Sequence, residues 1–282
     1  MSVKSLTDEI LSKEANPMRV AGGSNIGQRK DNEDRYDIRS LQLANGCTLH
    51  FLIVADGMGG HEHGQLASRA AVEQFNLLDE NAFFDGFDLD DMQTIFHQAN
   101  SRIYAVQEHL HDGIIGTTLT ATAIESDQLY LGHIGDSRCY LYRDGVLEQL
   151  SEDHTYYAEL IRQGQEIASG DEKQKNMLMK ALGPEEYIDG QYISTSLKHG
   201  DMLLLCTDGF YNLVSEETMM DALDRVIGNQ DLIDSVVEEL LQVALAQGAR
   251  DNLTLILYLH ESEITSDVAV GHLQTIDMDG KL

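Results

Sequence analysis

The chain has 282 residues, 42% of them hydrophobic, which is enough apolar side chain to bury a core of ordinary single-domain size. Its 48 acidic and 19 basic residues give a formal net charge of -29, which repels a phosphate backbone and argues against nucleic acid as a partner. No stretch approaches ~18 consecutive apolar residues, and the start, MSVKSLTDEI, lacks the basic and apolar regions of a secretory signal, so a cytoplasmic protein without a membrane span is expected.

In chain order, runs rich in β-branched and aliphatic residues predict strands at TLHFLIVA (48–55), TTLTATAIE (117–125), QLYLGHIG (128–135), RCYLYR (138–143), MLLLCT (202–207) and LTLILYL (253–259). The Asp-Gly of YRDGVL predicts a hairpin turn. Helical periodicity predicts helices over 64–78, 90–110, 215–226 and 230–248. The strands come in blocks, so the pattern favours an α+β class of antiparallel sheets with helices packed outside over a doubly wound parallel fold. Only two prolines occur, Pro17 and Pro184, and no repeat or linker divides the chain, so one domain is expected. From Glu261 onward the apolar period is gone, which predicts a C-terminal tail over 261–282.

Cys47, Cys139 and Cys206 lie in or beside apolar segments and make no CxxC spacing, so they are expected to be reduced, buried and inert. A cysteine-dependent phosphatase needs an arginine just downstream of its nucleophile, and the corresponding positions hold Ile53, Gly145 and Asn212. The glycine clusters GGSNIGQR and GMGGHEHG fit neither a P-loop nor a dinucleotide fingerprint.

Aspartates recur at strand ends. FLIVADGMGGHEHG places Asp56 and Gly57 after an apolar run, LLLCTDGF repeats the pattern at Asp208, LGHIGDSR varies it at Asp136, and Asp251 precedes LTLILYL. Any one of these alone is an ordinary turn residue. Gathered at ~4 Å, however, carboxylates repel by about 4 kcal/mol per pair at an effective dielectric near 20, and a cation cancels that cost. Oxygen-only ligands suit Mg2+ or Mn2+ over zinc, and glycine after the aspartate lets the backbone carbonyl of Gly57 approach an ion. The pattern therefore reads as a two-metal hydrolase site acting at phosphorus. In SNIGQRKDNEDRY, Arg29 is a bidentate clamp for phosphate, and Glu33 and Asp34 are placed to hold metal-bound waters, although alternating charge alone is usually a solvated loop.

RKDNED, VADGMGGHEHGQLAS, GTTLTA, GHIGDSRCYL, LSEDHT, NMLMKALG, LLLCTDG and RDNLTLILY occur in the order found in the metal-dependent protein phosphatase 2C family, and the chain resembles its bacterial serine/threonine phosphatases over roughly residues 20–260. That resemblance implies a four-layer α-β-β-α sandwich of two antiparallel sheets flanked by helices. An N-terminal extension (1–19) would precede it, and a flap at about 150–180 would lie beside the cleft. It implies two or three Mn2+ or Mg2+ ions, with Asp56 bridging two of them and Gly57 binding one. Asp208 and Asp251 would hold the other, Arg29 the phosphate, and Glu33 and Asp34 the metal waters. Asp136, with Asp208, would hold a third, weaker ion. Implied partners are phosphorylated proteins, targets of a serine/threonine kinase, and the chain is expected to be a monomer.

Met58 stands where some eukaryotic members carry a histidine, so the general acid is unassigned. His61 and His63 have no third nitrogen or sulfur ligand for zinc and read as shaping the turn or lining the cleft. A phosphatase dedicated to one regulator, of the anti-sigma antagonist type, stays open beside a general one. A non-catalytic module of the same fold would have lost ligands, which this chain keeps.

Overall fold

The computed structural model describes residues 18–262 apart from 60–61, 80, 82, 84, 111–112 and 166–176. In chain order its first half comprises β1 (Arg19–Asn25), β2 (Asp34–Gln42), β3 (Thr48–Met58), α1 (Glu62–Phe75), α2 (Leu89–Gln107), β4 (Gly116–Thr117), β5 (Leu119–Glu125) and β6 (Gln128–Ile134). There follow β7 (Arg138–Arg143), β8 (Val146–Gln149), α3 (Tyr156–Arg162), β9 (Gln191–Ser196), β10 (Met202–Cys206), α4 (Asp208–Tyr211), α5 (Glu216–Gly228), α6 (Ile233–Ala246) and β11 (Leu253–Leu259). One antiparallel sheet has the order β1-β11-β10-β7-β8, and the other β2-β3-β5-β6-β9 with β4 joined to β3.

Three apolar cores separate four layers. Helices α1 and α2 cover the outer face of the β3-containing sheet, α5 and α6 cover the other sheet, and a third core fills the space between the sheets. Along β3, Phe51, Ile53 and Ala55 face the helices while Leu52 and Val54 face the opposite sheet. On β10, Leu203 and Leu205 point between the sheets, whereas Met202, Leu204 and Cys206 point to the helices. Both faces of these strands are buried, which is why they read as unbroken apolar runs without a polar alternation. The expected α-β-β-α sandwich is the observed one.

The hairpin expected at YRDGVL joins β7 to β8, with Asp144 at φ 52 and Gly145 at φ 79, the two positive values a type I′ turn requires. Strands β1, β2 and β9 were not legible, and all three are sheet edges with half-exposed, polar-rich faces. In β1, a Cβ on Gly22 would lie 2.7 Å from the Tyr36 ring and one on Gly23 2.7 Å from Leu241 Cδ1, so the glycines serve close packing on each face. Cys139 and Cys206 are buried free thiols as expected, but Cys47 is only half-buried, because it sits in the turn between β2 and β3. The terminal extension and tail expected at 1–19 and 261–282 lie almost wholly outside the described residues, as does 166–176 of the flap. Among the described residues, no helix is long and apolar enough to cross a membrane.

His133, on β6, ties the end of that strand to the loop before α3. Its Nε2 faces the carbonyls of Gly135 and Glu152 at 3.1 and 3.0 Å and therefore carries the proton, while Nδ1 accepts from the Thr120 hydroxyl at 2.8 Å. Burial, helped by the stacked His154, pushes its pKa down to about 3. The unfolded chain thus takes up a proton near pH ~6.5 that the folded one refuses, and stability falls as pH drops below that value. The difference in urea-unfolding free energy between wild type and His133→Gln is expected to shrink by about 2 kcal/mol from pH 7 to pH 5. A gap that does not change with pH would show that His133 keeps its ordinary pKa in the fold.

Candidate metal centre

The aspartates singled out in the sequence collect at one end of the sandwich. Asp34 opens β2 and lies directly opposite Asp56 of β3 in the antiparallel register. Asp208 follows β10 and begins α4, Asp251 comes shortly before β11, and Asp136 lies in the link that carries the chain from β6 in one sheet to β7 in the other. The cluster is thus assembled from both sheets, and no local segment of sequence contains it.

Glycine after each Asp-Gly aspartate is required by close approach. A Cβ on Gly57 would collide with the Gly64 carbonyl and sit 2.7 Å from the Glu33 carbonyl oxygen, and one on Gly209 would collide with the Asn252 carbonyl. The loops bearing Glu33 and Asp251 can therefore press against the two Asp-Gly corners. Gly57 N–H donates to the Glu33 carbonyl at 3.2 Å, Ser68 Oγ donates to the same oxygen at 2.5 Å, and Glu33 N–H donates to Asn252 Oδ1 at 2.8 Å.

Asp34 Oδ2 accepts from Thr207 Oγ1 at 2.9 Å and Thr254 Oγ1 at 2.7 Å, while its buried Oδ1 has no hydrogen-bond partner. Burial raises the pKa of Asp34, the two hydroxyls oppose the rise, and repulsion from Asp208 and Asp251 adds to it. Asp56 is pushed well above the carboxylate range by burial and by Asp34, Asp208, Asp136 and Asp251 together. Burial and Asp251 raise Asp208, and burial with Asp208 and Asp153 pushes Asp136 up to about 7. These are carboxylates held where their own charges disfavour ionisation, the electrostatic condition that a bound cation reverses.

Among the described residues, no three histidine, cysteine, aspartate or glutamate side chains close into a compact metal-binding group. The carboxylates still share one end of the fold, with Asp208 in hydrogen-bond reach of Asp56 and Asp34 across the ladder from it. The residues nevertheless fit a hard divalent ion: the donors are all oxygen, and Asp34 Oδ1 is a buried acceptor without a donor.

Arg29 stands at the mouth, its side chain 55% exposed, with Nη2 2.7 Å from Oδ2 of Asp251, itself 42% exposed. Nothing in the sequence indicates this pairing between the expected phosphate clamp and an expected ligand. Arg138, a neighbour of Asp136 in sequence, turns instead to Asp153 at 2.6 Å and lies 3.8 Å above the Tyr211 ring. Thr207, Thr254 and Asn252 were missed in the sequence, although each adjoins or nearly adjoins an expected aspartate in TDG and RDNLT. His63 packs near Gly113, whose Cβ position is 3.7 Å from Nδ1, consistent with shaping the turn, and His61 lies outside the described residues.

All-oxygen donors gathered at one end of the sandwich, with a guanidinium beside Asp251, suit the class of metal-dependent phosphate-ester hydrolases. Comparison with known proteins makes the class specific. The model of the family protein phosphatase 2C matches residues 21–257. The chain is 33% identical over 237 residues to the serine/threonine phosphatase stp of Listeria monocytogenes, covering 79% of this chain and 92% of that one. It is 32% identical over 247 residues to the protein phosphatase PhpP of Streptococcus pneumoniae, covering 85% and 96%. The crystal structure of the Mycobacterium tuberculosis serine/threonine phosphatase PstP superposes with a TM-score of 0.73 at 32% identity, over 86% of this chain and 99% of that one. A second structure, the PstP catalytic domain in complex with two manganese ions, gives a TM-score of 0.71 at 32% identity, over 86% and 97%. The chain belongs to the protein phosphatase 2C family, and it is a protein-serine/threonine phosphatase, the fold and reaction class expected from its sequence.

Proposed function

We propose that Asp34, Asp56, Asp208 and Asp251, with the Gly57 carbonyl, hold two Mn2+ or Mg2+ ions, and that Asp136 with Asp208 holds a third. The observation that carries this reading is the bare, buried Oδ1 of Asp34 directly across the ladder from Asp56. When bound, such ions supply a water that is deprotonated near neutral pH and positive charge for the phosphoryl oxygens. Arg29 leaves Asp251 and takes two phosphoryl oxygens with its planar fork, orienting the ester. Its exposed ion pair with Asp251 contributes only about 1 kcal/mol or less, so the exchange costs little. Glu33, held by the Asn252 and Ser68 hydrogen bonds to its backbone, orients water at the edge of the centre. Met58 has no proton to give, so it does not serve as the general acid.

The substrates are phosphoserine and phosphothreonine in proteins modified by a serine/threonine kinase, and the enzyme works as a cytoplasmic monomer. Residues 20–260 form the catalytic domain, a reading supported by the family match over 21–257. The segment at about 150–180, whose described part contains α3, serves as a flap beside the cleft.

Hydrolysis of a phosphothreonine peptide, or of p-nitrophenyl phosphate, is expected to require added Mn2+ or Mg2+ and to stop with EDTA. Full turnover by thoroughly chelated protein would overturn the reading of the aspartates as ligands.

A further inference from the structure

We propose that an apolar groove beside Met58 is a subsite for a hydrophobic side chain of the phosphoprotein, close in sequence to the phosphorylated residue; this rests on the phosphatase reading above. The groove has a volume of about 560 Å³ and is lined by Met58, Ile114, Ile134, Leu178, Pro184 and Tyr187, among others. Its rim is unusually open for such side chains, with Ile114 57%, Met179 51% and Tyr187 78% exposed. A cluster of exposed apolar residues on a chain with a net charge of -29 calls for an occupant.

The groove is built onto the strand that carries the metal centre. Met58 ends β3 just past Asp56 and Gly57, and the register pairs Met58 with Gly116 and Gly57 with Thr117 of β4. A Cβ on Gly116 would lie 2.6 Å from Met58 Cε and 3.2 Å from Pro184 Cδ, so glycine there lets the methionine lie flat as the floor. Thr117 and Leu182 exchange backbone hydrogen bonds at 3.0 and 2.9 Å, which fixes the far wall to the same strand. Floor and wall are therefore rigidly registered to Asp56.

That registration selects the occupant. A strand advances about 3.4 Å per residue, which puts Met58 roughly 7 Å from Asp56, and an extended substrate advances at a similar rate. A peptide whose phosphate reaches the aspartates thus carries a residue about two places away over the groove. At the edge, Lys180 Nζ is paired with Asp189 Oδ2 at 2.9 Å and Glu185 is exposed to solvent, so what the floor of the groove selects is apolar surface. A leucine, isoleucine or phenylalanine fits this chemistry.

The test uses phosphothreonine peptides in a serine-glycine background, each with a single leucine placed within about three residues on either side of the phosphothreonine. With the full chain and Mn2+, one placement is expected to raise kcat/KM about tenfold over the leucine-free peptide, the discrimination typical of an apolar pocket. In the double variant Ile114→Ser with Tyr187→Ser, that preference is expected to disappear while turnover of the leucine-free peptide is unchanged. Both replaced side chains are largely exposed, so the fold tolerates the changes. Equal rates for every peptide, or a leucine preference that survives in the double variant, would overturn the subsite. So would sedimentation showing that wild type self-associates through these residues and the variant does not. Turnover of no peptide at all would remove the phosphatase reading itself, and the subsite with it.

Discussion

Asp208→Asn is expected to lower turnover of a phosphothreonine peptide by about 10³-fold or more and to abolish tight Mn2+ binding at one site, whereas Arg29→Ala lowers turnover by about 10²-fold with metal binding kept. The contrast follows from where the two groups sit. Asp208 is half-buried at the head of α4, within reach of the Asp56 carboxyl, and its pKa is raised by desolvation and by Asp251. Replacing it with an amide keeps the shape and removes a negative charge from the centre. Arg29 is at the surface and contributes positive charge beside Asp251, so its removal leaves that carboxylate fully available. Mn2+ affinity in Arg29→Ala is therefore expected to equal or exceed that of wild type, with the loss falling on KM and kcat. Calorimetric titration of each variant with Mn2+, paired with steady-state kinetics, separates the two roles. Equal loss of affinity in both variants would make Arg29 part of the scaffold of the metal centre and end its assignment as a phosphate clamp.

The parts of the fold legible in the sequence were those in which burial is strongest. Strands β3, β10 and β11 are apolar on both faces because each lies between a helix layer and the opposite sheet, and this produces runs that cannot be missed. Edge strands β1, β2 and β9 carry glycine, charge and serine-threonine content because one side of each faces solvent or a close-packed neighbour, and propensity alone reads them as loop. The aspartates of the centre were legible for a different reason: an acidic residue ending a buried strand conflicts with its surroundings, and the conflict recurs. Their supports were not. Thr207 and Thr254 reach across from the β10–β11 sheet to Asp34 in the other sheet, a pairing separated by 173 and 220 residues that only the topology creates. The Arg29–Asp251 pair spans 222 residues and is equally invisible in the sequence.

Asp136 makes the sharpest case, because a turn residue and a metal ligand predict opposite effects on stability. A turn role needs the carboxylate engaged locally, and Arg138 is its nearest cation in sequence. In the fold, Arg138 bonds Asp153 and lies on the Tyr211 ring, while the Tyr211 hydroxyl donates to the backbone carbonyl of Asp136 at 3.0 Å. The loop is thus pinned through its backbone, and the carboxyl, which accepts from its own amide, lies beside Asp208 of the centre. Burial, with Asp208 and Asp153, raises its pKa to about 7, so the folded chain holds a proton between pH ~4 and ~7 that the unfolded chain releases. The associated stability is full below pH ~4 and is lost as pH rises through ~7, by on the order of 4 kcal/mol as an upper bound. In EDTA at pH 8, Asp136→Asn is therefore expected to melt above wild type, with the gap closing as pH falls toward 4. With Mn2+ the same variant is expected to keep the two tight ions and lose most of its turnover, since the third ion's position has lost its carboxylate. Melting curves in EDTA across this pH range and kinetics across a Mn2+ titration, on one preparation, read both effects. Wild-type turnover with unchanged metal dependence, together with no gain in melting temperature, would return Asp136 to the role of a turn residue.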